Sequence, residues 1–176
     1  MGIDFYISLS LVISLILFFY IFLSGFIFGA GYEPTPRNVV NRMIELAELK
    51  GDETVYDLGS GFGRIIIEIS KRYPNIKCIG IEIDPLKVAW TRFVLRRNRL
   101  KAIVIRANLL KYDLRNADVI FTFLYPGLME KLGKKLLSEC TKKVRVVSYY
   151  HEIPFIRPVL IDHRHRIFVY DFYPHS

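Results

Sequence analysis

Residues Val55 to Arg64 read "VYDLGSGFGR", and this stretch decides the fold. A short apolar run carries an acid, Asp57, and then Gly59, Gly61 and Gly63 follow at alternate positions. Glycine there lets the backbone take positive φ and lets a ligand lie directly against the main chain. The preceding "ETVYDL" reads as a strand, and Arg64 to Arg72 read as a helix. A strand that turns through glycines into a helix is the opening unit of a doubly wound sheet. In such sheets ligands sit at the C-terminal ends of the strands.

The same rhythm continues on both sides. Before the loop, "NVVNRMIELAEL" sets Val39, Val40, Met43, Ile44, Leu46 and Ala47 at helical spacing. After it, "KCIGIEI" reads as a buried strand, and Pro85 opens a helix that runs to about Asn98. "KAIVIRA" and "ADVIFTFLY" are the third and fourth strands, Pro126 to Cys140 a helix, and "VRVVSYY" the fifth strand. Alternation of this kind predicts an α/β fold, a Rossmann-like and mostly parallel sheet covered on both faces. The end of the chain, "RPVLIDHRHRIFVYDFY", offers two strands around a His-Arg-His-Arg turn with no helix between them. That predicts an antiparallel C-terminal hairpin at the sheet edge.

The glycine spacing constrains the ligand. A dinucleotide fingerprint is Gly-x-Gly-x-x-Gly, with a pyrophosphate at the helix N-terminus. Here the spacing is Gly-x-Gly-x-Gly, and the Asp57 carboxylate would repel a pyrophosphate but suit an ammonium group. Glu82 ends the second strand nineteen residues after Gly63, a distance at which an acid can accept from ribose hydroxyls. An amino group, a sulfonium and no phosphate describe S-adenosylmethionine, which this charge pattern favours over NAD.

"VYDLGSGFGR" resembles motif I of the seven-strand, class I S-adenosylmethionine-dependent methyltransferases. "YEPTPRNVVNRMIELA" is similar to the Pro-Thr-Pro segment of a narrower group within them. That group holds the archaeal protein-lysine methyltransferases and the ATP synthase c-subunit lysine methyltransferase. "ADVIFTFL", "RVVSYYHEI" and "HRIFVYDF" resemble its later motifs, so the likeness runs from about Tyr32 to the C-terminus. The resemblance implies that Asp57 lies near the methionine amino group, that Gly59, Gly61 and Gly63 line the cofactor, and that Glu82 holds the ribose. It puts Tyr32 and Thr35 in an N-terminal loop that closes over the cofactor. Asn108 stands where many relatives have an aspartate against the adenine amine, and Phe123 where the group often has a tyrosine.

Methyl transfer asks mainly for alignment and exclusion of water. A lysine nucleophile must also lose its proton, and an apolar channel disfavours its charged form. Phe123, Tyr125, Tyr149 and Tyr150 end the fourth and fifth strands and could line such a channel; core packing is the plainer use of strand aromatics. His151, Glu152, His163 and His165 have no metal-ligand spacing, so no metal is expected. Cys78 and Cys140 suggest no disulfide framework and fit a reducing compartment.

Residues Phe5 to Tyr32 carry no charge. A helix over Phe5–Phe28 would be about 36 Å long, enough for a ~30 Å hydrocarbon core. Residues 4–30 therefore read as a transmembrane helix and 31–176 as the methyltransferase domain. A cleaved signal or a buried core helix are the alternatives; a signal normally has a basic start and a shorter apolar run. No Lys or Arg precedes the run, whereas Arg37, Arg42 and Lys50 follow it. This puts the N-terminus outside and the domain in the cytoplasm. The net charge of +8 falls almost wholly on the domain. It suits an anionic bilayer better than nucleic acid, although a merely solvated basic surface explains it equally well. The function expected is methylation of protein lysines, with a membrane protein as a possible substrate. The rivals are a lipid or small-molecule methyltransferase, or a membrane-tethered module that binds the cofactor without turnover.

Overall fold

The computed structural model describes residues 2–28 and 33–174. Twelve elements follow in the order α1 (Ile3–Phe28), α2 (Arg37–Ala47), β1 (Thr54–Leu58), α3 (Arg64–Arg72), β2 (Lys77–Glu82), α4 (Pro85–Arg97), β3 (Ile103–Arg106), β4 (Val119–Thr122), α5 (Pro126–Glu139), β5 (Val144–Tyr149), β6 (Leu160–Asp162) and β7 (Ile167–Phe172). The chain divides into two units, Met1–Glu33 and Pro34–Ser176. The first unit is essentially α1, long and apolar enough to cross a membrane.

The second unit is a seven-stranded sheet in the order β3-β2-β1-β4-β5-β7-β6. Strands β1 to β5 pair in parallel, whereas β7 runs antiparallel to β5 and β6 antiparallel to β7. The order reverses between β1 and β4, and that break opens a crevice at the strands' C-terminal ends. The connection from β3 to β4 there is a loop rather than a helix.

One face of the sheet is covered by α2, α3 and α4 through Val40, Met43, Ile44, Ile66, Ile69, Val88 and Leu95. The other is covered by α5 and the loop before β4, through Met129, Leu132, Leu136 and Leu114. Each fully buried side chain of this size contributes roughly 1.5–3 kcal/mol, so the two cores hold the strand ends rigidly. Asp84 caps α4: its Oδ1 accepts from Leu86 N at 2.9 Å and Lys87 N at 3.3 Å, and Pro85 takes the first helical position.

The strands are shorter than their apolar runs suggest. β4 ends at Thr122, level with the end of β1 at Leu58, although β5 on its other side runs on to Tyr149. Phe123, Leu124 and Tyr125 therefore leave the sheet and form part of its C-terminal rim. The hairpin turn is His163–Arg166, tied to α2 by Asp162, whose carboxylate accepts from Arg42 Nε at 2.7 Å and from His165 N at 3.1 Å.

Candidate cofactor and substrate site

The three loop glycines share positive φ, at 76°, 54° and 74° for Gly59, Gly61 and Gly63, but do different work. A Cβ on Gly63 would fall 2.4 Å from Thr91 Cγ2, so this glycine lets α3 pack on α4. One on Gly59 would meet Leu124 Cδ2 at 2.9 Å. One on Gly61 would meet nothing within 4 Å. Gly61 thus faces open space, the cradle a bound ligand needs, while its neighbours fit the loop to the protein. Gly80 in β2 completes the seat, since a Cβ there would strike Ser60 at 2.7 Å.

Glu82 pins the centre of this loop. Its Oε2 accepts from Gly61 N at 2.8 Å, and its Oε1 accepts from Ile83 N at 2.8 Å and Asp84 N at 2.9 Å. The side chain expected to meet a ribose therefore also fixes the backbone beneath it. Thr91, fully buried on α4, donates to Gly61 O at 3.3 Å from the other side.

Asp57 is 4% exposed, and no described group donates a hydrogen bond to it. Burial, assisted by the nearby Glu82 charge, pushes its carboxyl up to about 8. A buried acid with no donor among the described residues is poised for a cationic partner. Arg64, in the first turn of α3, donates to Thr35 O at 2.5 Å and so ties the Pro34-Thr35-Pro36 segment to the glycine loop. Thr35 is buried, and Tyr32 lies outside the described residues. Asn108 follows β3, where its Oδ1 accepts from Leu110 N at 2.9 Å and its amide nitrogen is left as a donor.

On the other side of the crevice the rings gather. Phe123 lies 4.7 Å from Tyr149 and 6.4 Å from Tyr150 between ring centroids, and Tyr149 lies 5.9 Å from Tyr150. His151 joins the group, 4.9 Å from Tyr150 and 6.2 Å from Tyr125. Tyr150 has φ of 71°, and His151 N donates across it to Tyr149 O at 2.9 Å, a γ-turn of the strained, positive-φ kind. Its geometry is held on every side. Ser148 Oγ donates to His151 O at 2.6 Å, Tyr150 N donates to Arg166 O at 2.7 Å, and the Arg166 guanidinium sits 3.9 Å above the Tyr150 ring.

The segment that follows is anchored by Tyr170, which burial pushes up to about 12 and whose hydroxyl accepts from Ile153 N at 3.0 Å. Gly133 in α5 makes room for it, since a Cβ would come 2.5 Å from Ile153 Cγ2. Sequence reasoning missed Arg64, Thr91, Tyr170 and Gly133, because each acts through a partner distant along the chain. Among the described residues, no cluster of three or more His, Cys, Asp or Glu could hold a metal.

A family profile described as the ANTKMT methyltransferase domain matches residues 57–160, from Asp57 to the start of the terminal hairpin. The chain belongs to this family. It is 37% identical over 124 residues to a protein-lysine N-methyltransferase of Saccharolobus islandicus, covering 69% of this chain and 77% of that one. It is 32% identical over 119 residues to the mouse adenine nucleotide translocase lysine N-methyltransferase, covering 65% of this chain and 52% of the mouse protein. Among solved structures it resembles an RNA methyltransferase of Salinibacter ruber in complex with S-adenosyl-L-homocysteine. That likeness has a TM-score of 0.75 at 30% identity and covers 82% of this chain and 95% of the other.

This ANTKMT-family protein is an S-adenosylmethionine-dependent methyltransferase. The residues present fit that cofactor: Gly61 leaves a cradle, and Asp57 is a buried acid that a cation beside it would ionise. Asp57 would hold the amino group, Glu82 the ribose, and the Gly59–Gly63 backbone the face between them. The cofactor supplies an electrophilic methyl group on a sulfonium, a leaving group that needs no protonation.

Proposed function

We propose that this protein methylates lysine side chains of other proteins and is held in the membrane by α1, with its domain in the cytoplasm. The aromatic wall of Phe123, Tyr149 and Tyr150 carries the lysine reading. It stands across the crevice from the Asp57 and Gly61 side, where an acceptor would enter. Ring faces and edges disfavour an ammonium's water shell yet accommodate its alkyl stem, which lowers the cost of presenting a neutral amine. The ε-amine lone pair forms the new N–C bond as the S–C bond breaks, and the amine proton passes to solvent. The names of the archaeal and mouse relatives support the same substrate class.

Incubation of membrane and soluble protein fractions with labelled S-adenosylmethionine, followed by peptide mapping, tests the reading. Label on lysine is expected, at a rate that rises with pH toward the lysine range near 10.4. Label on arginine, glutamine or carboxylates, or only in the lipid extract, refutes it. The Salinibacter likeness favours one second reading, methylation of RNA. Transfer of label to RNA and not to protein would establish that one instead.

A further inference from the structure

We propose that the outer face of α4 seats the methyltransferase domain on an anionic lipid surface. A helix that packs on a sheet normally turns apolar residues inward and polar ones outward. α4 does the first through Val88, Thr91 and Leu95, all buried. Yet its opposite face reads Leu86, Trp90, Phe93, Arg97 at steps of four, three and four residues, with Ala89 beside them, one continuous stripe. Leu86, Trp90 and Phe93 are 49%, 53% and 57% exposed, and the rings of Trp90 and Phe93 lie 6.0 Å apart. Three large apolar side chains in a row on an outer face mark a surface that meets something.

The surrounding charge says what. Between Ile83 and Tyr112 the chain has eight Lys and Arg; Lys87 is turned in against Asp84, which leaves Arg92, Arg96, Arg97, Arg99, Lys101, Arg106 and Lys111. The one acid in that interval is Asp84, which is fully buried as the cap of α4. Arg96 and Arg97 are exposed and extend the stripe at the helix C-terminus. An amphipathic outer face of tryptophan, phenylalanine and leucine rimmed by arginine suits the headgroup boundary of an anionic leaflet. Leu86 and the aliphatic stems give nothing to a nucleic acid, which would instead favour stacking rings set along a groove.

A span elsewhere in the same chain would raise the local concentration of lipid for this weak contact. To that extent the inference rests on the reading of α1 as the anchor.

Trp90 is the single tryptophan of the chain, so emission excited at the red edge, where its eleven tyrosines do not absorb, reports on this face alone. The full chain is reconstituted in phosphatidylcholine vesicles with and without phosphatidylglycerol. Some lipid is brominated near the glycerol end of its acyl chains. The expected result is a blue-shifted emission, quenched by the bromolipid in the anionic vesicles and relieved by high salt. The double variant Arg96→Gln, Arg97→Gln should lower the docking equilibrium constant about thirtyfold, at ~1 kcal/mol per basic residue. Phe93→Ser should weaken docking without changing charge, with S-adenosylhomocysteine affinity unaltered in both variants.

Water-like, unquenched emission in every vesicle overturns the proposal. If the chain nonetheless resists an alkaline wash, the anchor stands without it. A chain that washes off refutes the anchor, while the quenching before the wash still decides the docking. Quenching of Trp90 by single-stranded RNA with no response to lipid would overturn the proposal in favour of a nucleic-acid surface.

Discussion

Replacing Asp57 by Asn should make the free protein more stable at alkaline pH while it weakens the cofactor. Burial, with the Glu82 charge adding to it, raises the Asp57 carboxyl from 3.8 to about 8. Between those values the folded state binds a proton that the unfolded chain has lost. The sign is therefore the reverse of an ion-paired carboxylate: stability is greatest below pH 3.8 and is lost as pH rises through 8. Four units at about 1.4 kcal/mol each give a ceiling of about 5–6 kcal/mol, and water entering the crevice reduces it to about 2–4 kcal/mol. The amide of the variant carries no charge and escapes this loss. For a domain of this size each kcal/mol is worth roughly 2–4 °C, so the variant should melt roughly 5–12 °C above the wild type at pH 8.5. The gap should shrink toward pH 5.5. Binding shows the converse. The wild type must release the Asp57 proton to receive an ammonium group, so its affinity should fall about tenfold per pH unit below 8. The variant should lose that slope and bind at least tenfold more weakly at pH 8. Thermal unfolding in detergent and calorimetry in buffers of different ionisation enthalpy measure both. A variant less stable than wild type at pH 8.5, or a wild-type affinity flat from pH 6 to 8, refutes the assignment of the buried Asp57 carboxyl to the cofactor's amino group.

Three further outcomes are expected. Gly61→Ala should fold with a loss of about 1 kcal/mol for its φ of 54° and lose cofactor binding, whereas Gly63→Ala should lose about 3–4 kcal/mol through its clash with Thr91; melting and affinity measurements on the pair separate cradle from packing. Glu82→Gln sets an amide N–H against either Gly61 N or the Ile83 and Asp84 nitrogens, so denaturant unfolding should show a loss of about 2–4 kcal/mol alongside weaker cofactor binding. Tyr170→Phe leaves Ile153 N buried without its acceptor; a stability loss of about 1–3 kcal/mol is expected, with KM for the acceptor rising more than the cofactor affinity falls.

The strand–loop–helix order was legible because period and punctuation agreed at every step. The apolar runs are bounded by Gly59 to Gly63, Pro85 and Pro126, where elements begin or end, and Gly51 lies in the turn between α2 and β1. The edge hairpin was legible too, since seventeen residues with two apolar runs leave no room for a crossover helix. Strand ends were less so: the run "ADVIFTFLY" does not record that pairing stops at Thr122. Within the site, sequence marked the residues whose type is unusual for their place, an acid closing a strand or a glycine run. It could not mark Arg64 holding Thr35, or Ser148 holding His151, because both bonds reach backbone carbonyls and any sequence supplies a carbonyl.

Positive φ also occurs in ordinary turns and caps, at Glu48, Gly51, Arg99, Phe155 and Arg166, but one group of such residues surrounds the crevice. The φ values above 50° at Gly59, Gly61, Gly63 and Tyr150, and the buried carboxyl group of Asp57, all fall at the C-terminal ends of β1 and β5 or in the turns that leave them. The opposite ends of these strands carry ordinary satisfied contacts, such as Thr54 N donating to Asp118 and Arg145 paired with Asp171. Strain of this kind persists only where surrounding structure over-determines it, and here two apolar cores and the Glu82 clasp do so. The glycine side is strained where a cofactor's charge and bulk would relieve it. The tyrosine side is strained where a ring is turned out of the sheet toward solvent. A binding module would need only the first. The second, held by Ser148, Arg166 and the backbone of Tyr149, would serve the acceptor channel proposed above, which turnover needs and cofactor storage does not.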